Sequence, residues 1–273
     1  MKLGSREADS EHTPALFQPV GGMDQIARAM ERAIPKKIFN FNCEIAEISQ
    51  TDSDVTVSVV DTKSGKMKTF KGDYAISCLP FPLLNKIKTD FRQDVIDGLS
   101  APASAPVVKL GLQFSERFWE TQEDIYGGIT VNDIDESGNI SYPSSEMFSN
   151  KTGVLLTSYA HRGGAIKLGN RSSAERIERG LEIGELIHPG RFRKYFNGKG
   201  ISMAWHKQKY QLAGWVQWSR RNIETKMPAL MKGEKRVLFS GNGMAPNHQG
   251  WMFAAIESAW NSISDLDKRV AKD

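Results

Sequence analysis

Hydrophobic and polar residues follow two spacings along the chain, one typical of strands and one typical of helices. From residue 107 apolar and other positions alternate, so Val108 and Leu110 share one face of a predicted strand while Lys109 and Gly111 share the other. A Lys-Ser-Gly-Lys turn at 63–66 is typical of a hairpin. Strands are predicted at 38–48, 55–60, 67–71, 74–78, 107–114, 129–132, 140–143, 154–159 and 237–239.

Apolar residues recur at helical spacing in four other stretches, which are 23–34, 83–87, 172–187 and 251–266. The first is predicted to be a core helix that ends before Pro35. Its apolar face consists of Met23, Ile26, Ala27, Met30 and Ile34. The mixture of strands and helices predicts an α/β fold with α+β character.

The end of the chain combines a strand, a polar turn and a helix. Residues 237–239 are a short apolar run closed by Gly241, which is typical of a buried strand in a parallel sheet. The turn 242–249 leads to a helix start, where N–H groups without intrahelical partners suit a phosphate or the electron-rich end of a reduced ring. Gly250 has no Cβ, so a flat cofactor can approach the backbone, with Trp251 as one wall. An ordinary strand–helix unit with core tryptophans fits the same pattern.

Composition and charge narrow the class of protein. The chain has 273 residues, of which 40% are apolar and 25% charged, and these proportions are typical of soluble globular proteins. It contains no apolar run of bilayer-spanning length, and its first residues lack the apolar region of a signal peptide, so we expect a cytoplasmic protein without membrane contact. The net charge of +4 is slight and the basic residues are scattered, which argues against nucleic acid as a partner. The five histidines and two cysteines show no metal-ligand spacing.

The C-terminal pattern resembles the signature of the flavin-containing amine oxidases, in which a strand leads to a Gly-Trp pair that opens the final helix. The resemblance implies that FAD is the cofactor and that this turn and helix start contact it. The implied FAD-binding residues are Gly241, Asn242, Gly250, Trp251 and Met252. Asn242 stands where the family usually has glutamate, although an amide carbonyl can still accept a hydrogen bond from a ribityl hydroxyl.

Lys109 lies among apolar residues of a predicted strand. Solvent exposure is the ordinary expectation for a single strand lysine. The segment from Lys109 to Phe118-Trp119, however, resembles a family segment whose lysine holds a water at flavin N5. A buried ammonium is costly unless it is paired or hydrated, so one that is retained is usually functional. The resemblance therefore implies that Lys109 is catalytic.

The resemblance assigns roles to four more positions and a second role to Trp251. It implies that main-chain groups of Ile45 hold the adenine, and that the Tyr142 hydroxyl, in a Tyr-Pro segment, binds the substrate carboxylate. Trp205, Trp215 and Trp251 are implied as walls of the substrate pocket beside the flavin. Each residue also has an ordinary structural interpretation, as a buried strand residue or a core aromatic.

Within the family, the resemblance is to the L-amino acid oxidases and runs from about residue 17 to 266. It implies hydride transfer from the substrate Cα–H to flavin N5, release of a 2-oxo acid and NH3, and formation of H2O2 from O2. An amine or polyamine oxidase and an amino acid 2-monooxygenase remain as alternatives from the same chemistry. A non-catalytic remnant or subunit without flavin is the alternative from another class.

The sequence contains no G-x-G-x-x-G turn between a strand and a helix, which a flavoprotein of this kind uses to bind the FAD diphosphate. We therefore expect the C-terminal portion of a longer enzyme, inactive without its FAD-binding N-terminal part. That part is expected on a separate chain or as a lost segment, and a homo-oligomer is also open. The predicted organisation is a flexible lead at 1–18, a partial three-layer FAD-binding portion at 19–105 and 225–273, and a substrate-binding portion with a mixed sheet and helices at 106–224.

Overall fold

The computed structural model describes residues 17–147 and 152–271, so nearly all of the predicted lead at 1–18 lies outside the described residues. The chain divides into two compact units, one formed by residues 1–44 and 60–67 and the other by residues 45–59 and 68–273. Every predicted site residue belongs to the second unit. The predicted boundaries between FAD-binding and substrate-binding portions stay predictions.

In the first unit, the expectation of a core helix is wrong. Helix α1 (Asp24–Ala33) buries none of its residues, and Met30 on its apolar face is 51% exposed. The spacing correctly predicted an amphipathic helix. It shows only that one face of the helix is apolar, and no described residue covers the apolar face of α1. The hairpin turn is confirmed, because the Asp61 carboxylate accepts hydrogen bonds from the N–H groups of Lys63 and Ser64.

The predicted strands are confirmed with ends shifted by a few residues, except that the first begins later, after a short 3-10 turn at Lys36–Ile38. The strands are β1 (Cys43–Gln50), β2 (Val55–Asp61), β3 (Met67–Gly72), β4 (Ala75–Ser77), β5 (Lys88–Thr89), β6 (Ala103–Ala105), β7 (Val107–Phe114), β8 (Gly128–Val131), β9 (Asn139–Tyr142), β10 (Gly153–His161), β11 (Phe196–Ala204), β12 (Trp215–Gln217) and β13 (Val237–Phe239). The other helices are α2 (Phe81–Leu84), α3 (Gln93–Ser100), α4 (Phe118–Thr121), α5 (Arg162–Asn170), α6 (Ser173–Ile187), α7 (Phe192–Tyr195), α8 (Arg220–Thr225), α9 (Met227–Lys232) and α10 (Phe253–Val270).

The strands form a four-stranded sheet in the order β3-β2-β1-β5, a five-stranded sheet in the order β11-β7-β10-β9-β8, and the pairs β12-β6 and β13-β4. All neighbours in the five-stranded sheet are antiparallel. Its register places Lys109 of β7 opposite Tyr159 of β10 on one side and Met203 of β11 on the other. The α/β class with α+β character is thus confirmed.

One face of the five-stranded sheet is buried and the other is open. Leu110 and Leu112 of β7 are fully buried, in a core that includes Leu181 of α6. Helix α6 begins at a capping box, in which Ser172 and Glu175 satisfy each other's backbone N–H groups. Lys109 and Gly111, which alternate with these leucines along β7, lie on the open face because successive strand residues alternate between faces. The open face is therefore available to form one wall of a site.

The predicted strand, turn and helix at the C-terminal end are present. Strand β13 is buried and pairs in parallel with β4. Helix α10 is attached to it by two serines: the Ser258 hydroxyl accepts a hydrogen bond from the Gly241 N–H at 2.9 Å, and the Ser262 hydroxyl donates one to the Phe239 carbonyl at 2.8 Å. These bonds fix the turn between β13 and α10. No helix among the described residues combines the length and hydrophobicity that crossing a bilayer requires.

Candidate active site

A row of ring contacts crosses the open face of the five-stranded sheet. The Lys109 Nζ lies 4.5 Å from the centroid of the Tyr159 ring. The Tyr159 and His161 rings are 4.2 Å apart by their centroids, and the His161 and Trp215 rings are 5.6 Å apart. Tyr159 and His161 are two positions apart in β10, so their side chains share a face. We call Lys109, Tyr159, His161 and Trp215 the aromatic row.

The far end of the aromatic row meets the start of the last helix segment. A Cβ added to Gly250 would lie 3.7 Å from the indole of Trp215, which is ordinary van der Waals contact. Gly250 has φ +87°, in the left-handed region that favours glycine. The row therefore connects the strand lysine to the Gly250-Trp251 turn that the sequence predicts as a flavin contact.

Asn242 holds this turn in place. Its side-chain oxygen accepts a hydrogen bond from the Gly250 N–H at 3.4 Å, and its side-chain nitrogen donates one to the Trp251 carbonyl at 2.8 Å. A glutamate could not make the second bond, since a carboxylate only accepts. In this chain the asparagine thus positions the backbone of the turn.

A pocket of about 110 Å³ lies beside the turn, and its lining includes Pro80, Trp215, Gly241 and Asn242. A Cβ added to Gly241 would meet only the Cys78 carbonyl, at 3.6 Å, so the space above this glycine is open. Gly241 has φ +111°, a conformation that a residue with a side chain rarely adopts. A cradle of open glycine backbone next to an indole fits the edge of a flat ring.

Burial shifts the proton equilibria of the aromatic row. The Lys109 side chain is solvent-accessible, yet the surrounding protein displaces enough water to lower the pKa of its ammonium. Burial also raises the pKa of the Tyr159 phenol. For His161, burial is the main cause of a lowered pKa, and the positive charges of Lys109 and Arg162 lower it further. The row therefore combines a more acidic ammonium with a neutral phenol and an imidazole that favours its neutral form.

Trp251 and Met252 lie on the surface at the entrance to α10. Their side chains are 41% and 52% exposed. The helix follows at Phe253 and has no side-chain cap at its N-terminus. Both residues are therefore accessible to a ligand that lies against the Gly250 turn.

Two predicted residues lie apart from the aromatic row. Trp205 follows β11 and is half-buried, and no ring contact is found for it among the described residues. Ile45 is on β1, in the four-stranded sheet, where it packs against the core that contains Phe239. Their predicted roles stay predictions.

Tyr142 is on the opposite face of the sheet from Lys109. It is buried, and its hydroxyl is 2.6 Å from His188 Nε2 and 2.9 Å from the Thr130 hydroxyl, while His188 Nδ1 bonds to Glu123. Burial raises the pKa of this phenol. The structure therefore does not bring Tyr142 together with the row, and its predicted carboxylate contact stays a prediction.

Tyr159 and His161 are not among the site residues that the sequence predicts. Tyr159 is the last residue of the predicted strand 154–159 and His161 lies two residues beyond it, and the pairing of Tyr159 with Lys109 is visible only in the folded sheet. No cluster of three metal-ligand side chains occurs in the described parts of the chain, 17–147 and 152–271.

Comparison with known proteins assigns the family. Residues 1–262 match the sequence profile described as flavin containing amine oxidoreductase. The chain belongs to that family. Its membership indicates FAD as the cofactor, and the open glycine cradle is the structural feature that fits such a group. The FAD assignment made from the sequence is thus confirmed.

Several curated relatives are amino-acid oxidases. The chain is 27% identical over 257 residues to the L-amino-acid oxidase of Crotalus adamanteus, covering 91% of this chain and 48% of that protein. It is 25% identical over 264 residues to the flavin-dependent L-tryptophan oxidase RebO of Lentzea aerocolonigenes, covering 94% of this chain and 54% of that protein. The chain thus spans about half the length of the curated relatives it matches.

Solved structures with a similar fold include amine oxidases. Cyclohexylamine oxidase from Brevibacterium oxydans matches with a TM-score of 0.76 at 14% identity, over 92% of this chain and 53% of that one. Putrescine oxidase bound to putrescine matches with a TM-score of 0.74 at 15% identity, over 91% and 53%. At such low identity these matches establish the fold alone.

Proposed function

We propose that this chain forms the substrate-facing sheet and the flavin-facing turn of an FAD-dependent L-amino-acid oxidase. The reaction is oxidative deamination of an amino acid to the 2-oxo acid, with NH3 and H2O2 as the other products. The observation that carries the proposal is the aromatic row, because it joins Lys109 to the Gly250 turn within one surface. The curated relatives support the amino-acid class.

The residues that would hold the flavin are those of the turn and the helix start, Gly241, Asn242, Gly250, Trp251 and Met252. When bound, FAD supplies the hydride acceptor and is restored by O2. The chain's part is to give a flat ring close access to open glycine backbone and to fix that backbone through Asn242. The start of α10 adds the positive end of a helix dipole, which favours electron-rich atoms.

Lys109 has the placement and the acidity for a proton donor or a water-holding cation at the sheet surface. Its ammonium is held over the Tyr159 ring, and the lowered pKa makes it donate a proton more readily than a free lysine. Trp215 forms the wall between this cation and the glycine turn. An apolar wall excludes water and strengthens the electrostatic effect of a nearby cation.

Amine or polyamine oxidation is the main rival from the same chemistry, since the solved amine oxidases share the fold. An amino acid 2-monooxygenase is another, and a subunit without flavin is the rival from a different class. An L-amino-acid oxidase requires a carboxylate on its substrate, whereas an amine or polyamine oxidase does not. The flavinless subunit differs from both in showing no visible flavin absorbance.

The test is substrate-dependent bleaching of flavin absorbance under anaerobic conditions, in the flavin-loaded enzyme of which this chain forms a part. We expect L-phenylalanine, L-leucine or another L-amino acid to bleach the flavin, and putrescine and cyclohexylamine to leave it oxidised. Readmitted O2 should then yield H2O2 and the 2-oxo acid. Bleaching by the amines alone would replace the proposal with amine oxidation, and release of an amide with CO2 would indicate the monooxygenase.

A further inference from the structure

Strand β10 contains a bulge just before Tyr159. Its register with β7 shifts between Leu156 and Ser158, and its register with β9 shifts between Leu156 and Tyr159. A bulge inserts an extra residue into one strand, and here it leaves Ser158 buried and Tyr159 on the open face. Because Lys109 is the register partner of Tyr159, the bulge decides whether an aromatic ring lies beside the Lys109 ammonium.

The turn between β8 and β9 holds this bulge through a buried hydrogen bond. We call residues 135–138 of this turn the acidic turn. The Ser158 hydroxyl donates a hydrogen bond to the Ser137 carbonyl, and both serines are buried. If Ser158 left this position, the carbonyl would lose that donor in the protein interior, which is costly. The bond therefore opposes a return of β10 to regular alternation.

Gly138 brings the backbone of the acidic turn against Tyr159 itself. The two residues form a bridge between their backbones. A Cβ on Gly138 would lie 2.0 Å from the Tyr159 carbonyl oxygen, which is too close for any side chain. The φ of Gly138, +65°, also lies in the left-handed region that favours glycine. The close approach therefore requires glycine, and it fixes the backbone that carries the Tyr159 ring.

Cations from the α5–α6 region hold the outer side of the acidic turn. The Arg171 guanidinium donates two hydrogen bonds to the Glu136 carboxylate, at 2.7 Å and 3.1 Å. The Lys167 ammonium bonds to the Asp135 carboxylate at 2.6 Å, and the Arg179 guanidinium donates to the Asp135 carbonyl at 3.3 Å. The Glu136 side chain is only 12% exposed, so salt screens its ion pair less than a fully exposed one. The turn is thus tied to the helices on one side and to β10 on the other.

We propose that the acidic turn positions the Lys109 ammonium, acting through Ser158 and the ring of Tyr159. The inference rests on the proposed function, in which Lys109 is the cation of the site, and it makes Ser158 and Gly138 positioning residues. Without the bulge, regular alternation would turn Tyr159 into the core and place Ser158 opposite Lys109. The ammonium would then lose its aromatic partner and part of the protein that displaces water from it.

The experiment follows the Lys109 side chain by NMR, in the purified chain without flavin and with isotope-labelled lysine. The Lys109 signal is identified by its loss in Lys109→Met. The ring current of Tyr159 displaces this signal, and Tyr159→Leu gives its position without the ring. We expect Ser158→Ala to remove most of the displacement. In the same variant the pKa of the Lys109 ammonium should rise toward that of an ordinary lysine, because more water reaches it.

Ser262→Ala is the matched control for Ser158→Ala. The Ser262 hydroxyl is also buried and also donates to a backbone carbonyl, that of Phe239, but this bond attaches α10 to β13. The control therefore removes an equivalent bond away from the five-stranded sheet. Loss of stability alone would affect the two variants alike, whereas a positioning role moves the Lys109 signal and its pKa only in Ser158→Ala.

Glu136→Gln tests the acidic turn from its outer side. It keeps the size of the side chain and removes the charge that Arg171 pairs with, so the Lys109 signal should move in the same direction as in Ser158→Ala but less far. Glu178→Gln is its control, because Glu178 lies on α6 and pairs with Arg193. The Lys109 signal of this control should stay in place.

The outcomes separate the inference from the proposed function. An unmoved Lys109 signal in folded Ser158→Ala would overturn the inference, and so would an equal movement in Ser262→Ala. If Ser158→Ala does not fold, Glu136→Gln decides: movement beyond that in Glu178→Gln supports the inference, and no movement overturns it. Because no flavin is used, Lys109 can prove to be positioned in this way in a chain without oxidase chemistry. Conversely, oxidase activity with an unmoved signal would remove only the inference.

Discussion

Lys109 of β7 and Tyr159 of β10 are register partners in the five-stranded sheet, and the Lys109 ammonium lies 4.5 Å from the centre of the Tyr159 ring. A cation over an aromatic face contributes about 0.5–1 kcal/mol at an accessible site. This is enough to favour one direction for a flexible side chain. The pairing therefore gives the lysine a defined place at the start of the aromatic row.

The first prediction concerns Lys109→Met in the flavin-loaded protein. Methionine keeps the apolar stem and removes the charge, so it removes stabilisation where negative charge builds up on reacting oxygen. We expect flavin reoxidation by O2 to slow by roughly tenfold or more, which corresponds to about 1.4 kcal/mol, and flavin reduction by substrate to slow less. Stopped-flow absorbance measures the two half-reactions separately.

Lys194→Met is the matched control for this substitution, because the Lys194 ammonium also lies over a tyrosine ring, 4.7 Å from the centre of Tyr195, and neither belongs to the aromatic row. Its two half-reactions should be unchanged. Equal slowing of both half-reactions in Lys109→Met, or no slowing, would contradict the assignment of Lys109 to the oxygen reaction.

The second prediction concerns His161 and acid. Burial, together with Lys109 and Arg162, lowers the pKa of His161 below its ordinary value of about 6.5. The unfolded chain therefore binds a proton at a higher pH than the folded chain, and the stability associated with neutral His161 is complete above the ordinary pKa. It is lost as the pH falls from there through the folded pKa.

Replacement of His161 by glutamine removes this proton linkage. We expect the melting temperature of His161→Gln to fall less than that of the unmodified chain between about pH 7 and pH 5, because glutamine does not titrate. At pH 8 the side chain at position 161 is uncharged in both proteins, so a difference in melting temperature at that pH measures the packing lost in His161→Gln. An identical acid slope in the two proteins would show that His161 keeps an ordinary pKa.

Much of the fold followed from the sequence because local patterns determine it. Alternation from residue 107 correctly placed Lys109 on one face of β7, and the short run 237–239 correctly indicated a buried parallel strand. The aromatic row did not follow, because it depends on a bulge in β10. The register shifts between Leu156 and Ser158, so Leu156 and Tyr159 share a face although they are three positions apart.

Strict alternation from Leu156 would have placed Tyr159 in the core and Ser158 on the open face. The folded strand does the reverse, with Ser158 buried and Tyr159 beside Lys109. Likewise, the alternation within one strand does not reveal which residues of another strand lie opposite it. That Tyr142 and Lys109 lie on opposite faces of the sheet could therefore not be predicted. Long-range pairing, rather than local preference, decides both cases.

The third prediction concerns the buried ion pair between Arg117 and Glu120. Both side chains are buried, the Arg117 Nε is 2.8 Å from Glu120 Oε1, and the guanidinium also donates to the Ser145 carbonyl at 3.0 Å. Glu120→Ala would leave a buried guanidinium without its counter-ion, which costs about 3–5 kcal/mol of the free energy of unfolding. Urea denaturation measures this change.

Glu224→Ala provides the comparison for Glu120→Ala, because Glu224 pairs with Arg220 at 3.0 Å on the surface, where both side chains are exposed. An exposed helical pair contributes only about 0.3–0.5 kcal/mol. A loss in Glu120→Ala as small as that in Glu224→Ala would show that water reaches the Arg117 guanidinium.

The fourth prediction concerns Gly250→Ala and separates two roles of this glycine. Its φ of +87° makes alanine strained at a cost of about 1–2 kcal/mol, although the new Cβ would only touch the Trp215 indole at 3.7 Å. Gly128 has nearly the same φ, +85°, and a Cβ there would meet nothing within 4 Å. Gly128→Ala therefore reproduces the backbone strain away from the glycine turn.

We expect Gly250→Ala and Gly128→Ala to lower the melting temperature of the flavin-free chain by similar amounts, because the two glycines have nearly the same positive φ. Only Gly250→Ala should also weaken FAD binding, because its methyl group occupies space above the turn that a flat ring would need. Fluorescence titration with FAD, carried out with the FAD-binding part present, measures the affinity of each variant relative to the unmodified protein. If both variants weakened FAD binding equally, lost stability would account for the effect. If neither did, Gly250 would be a backbone requirement of the turn and no part of a flavin site.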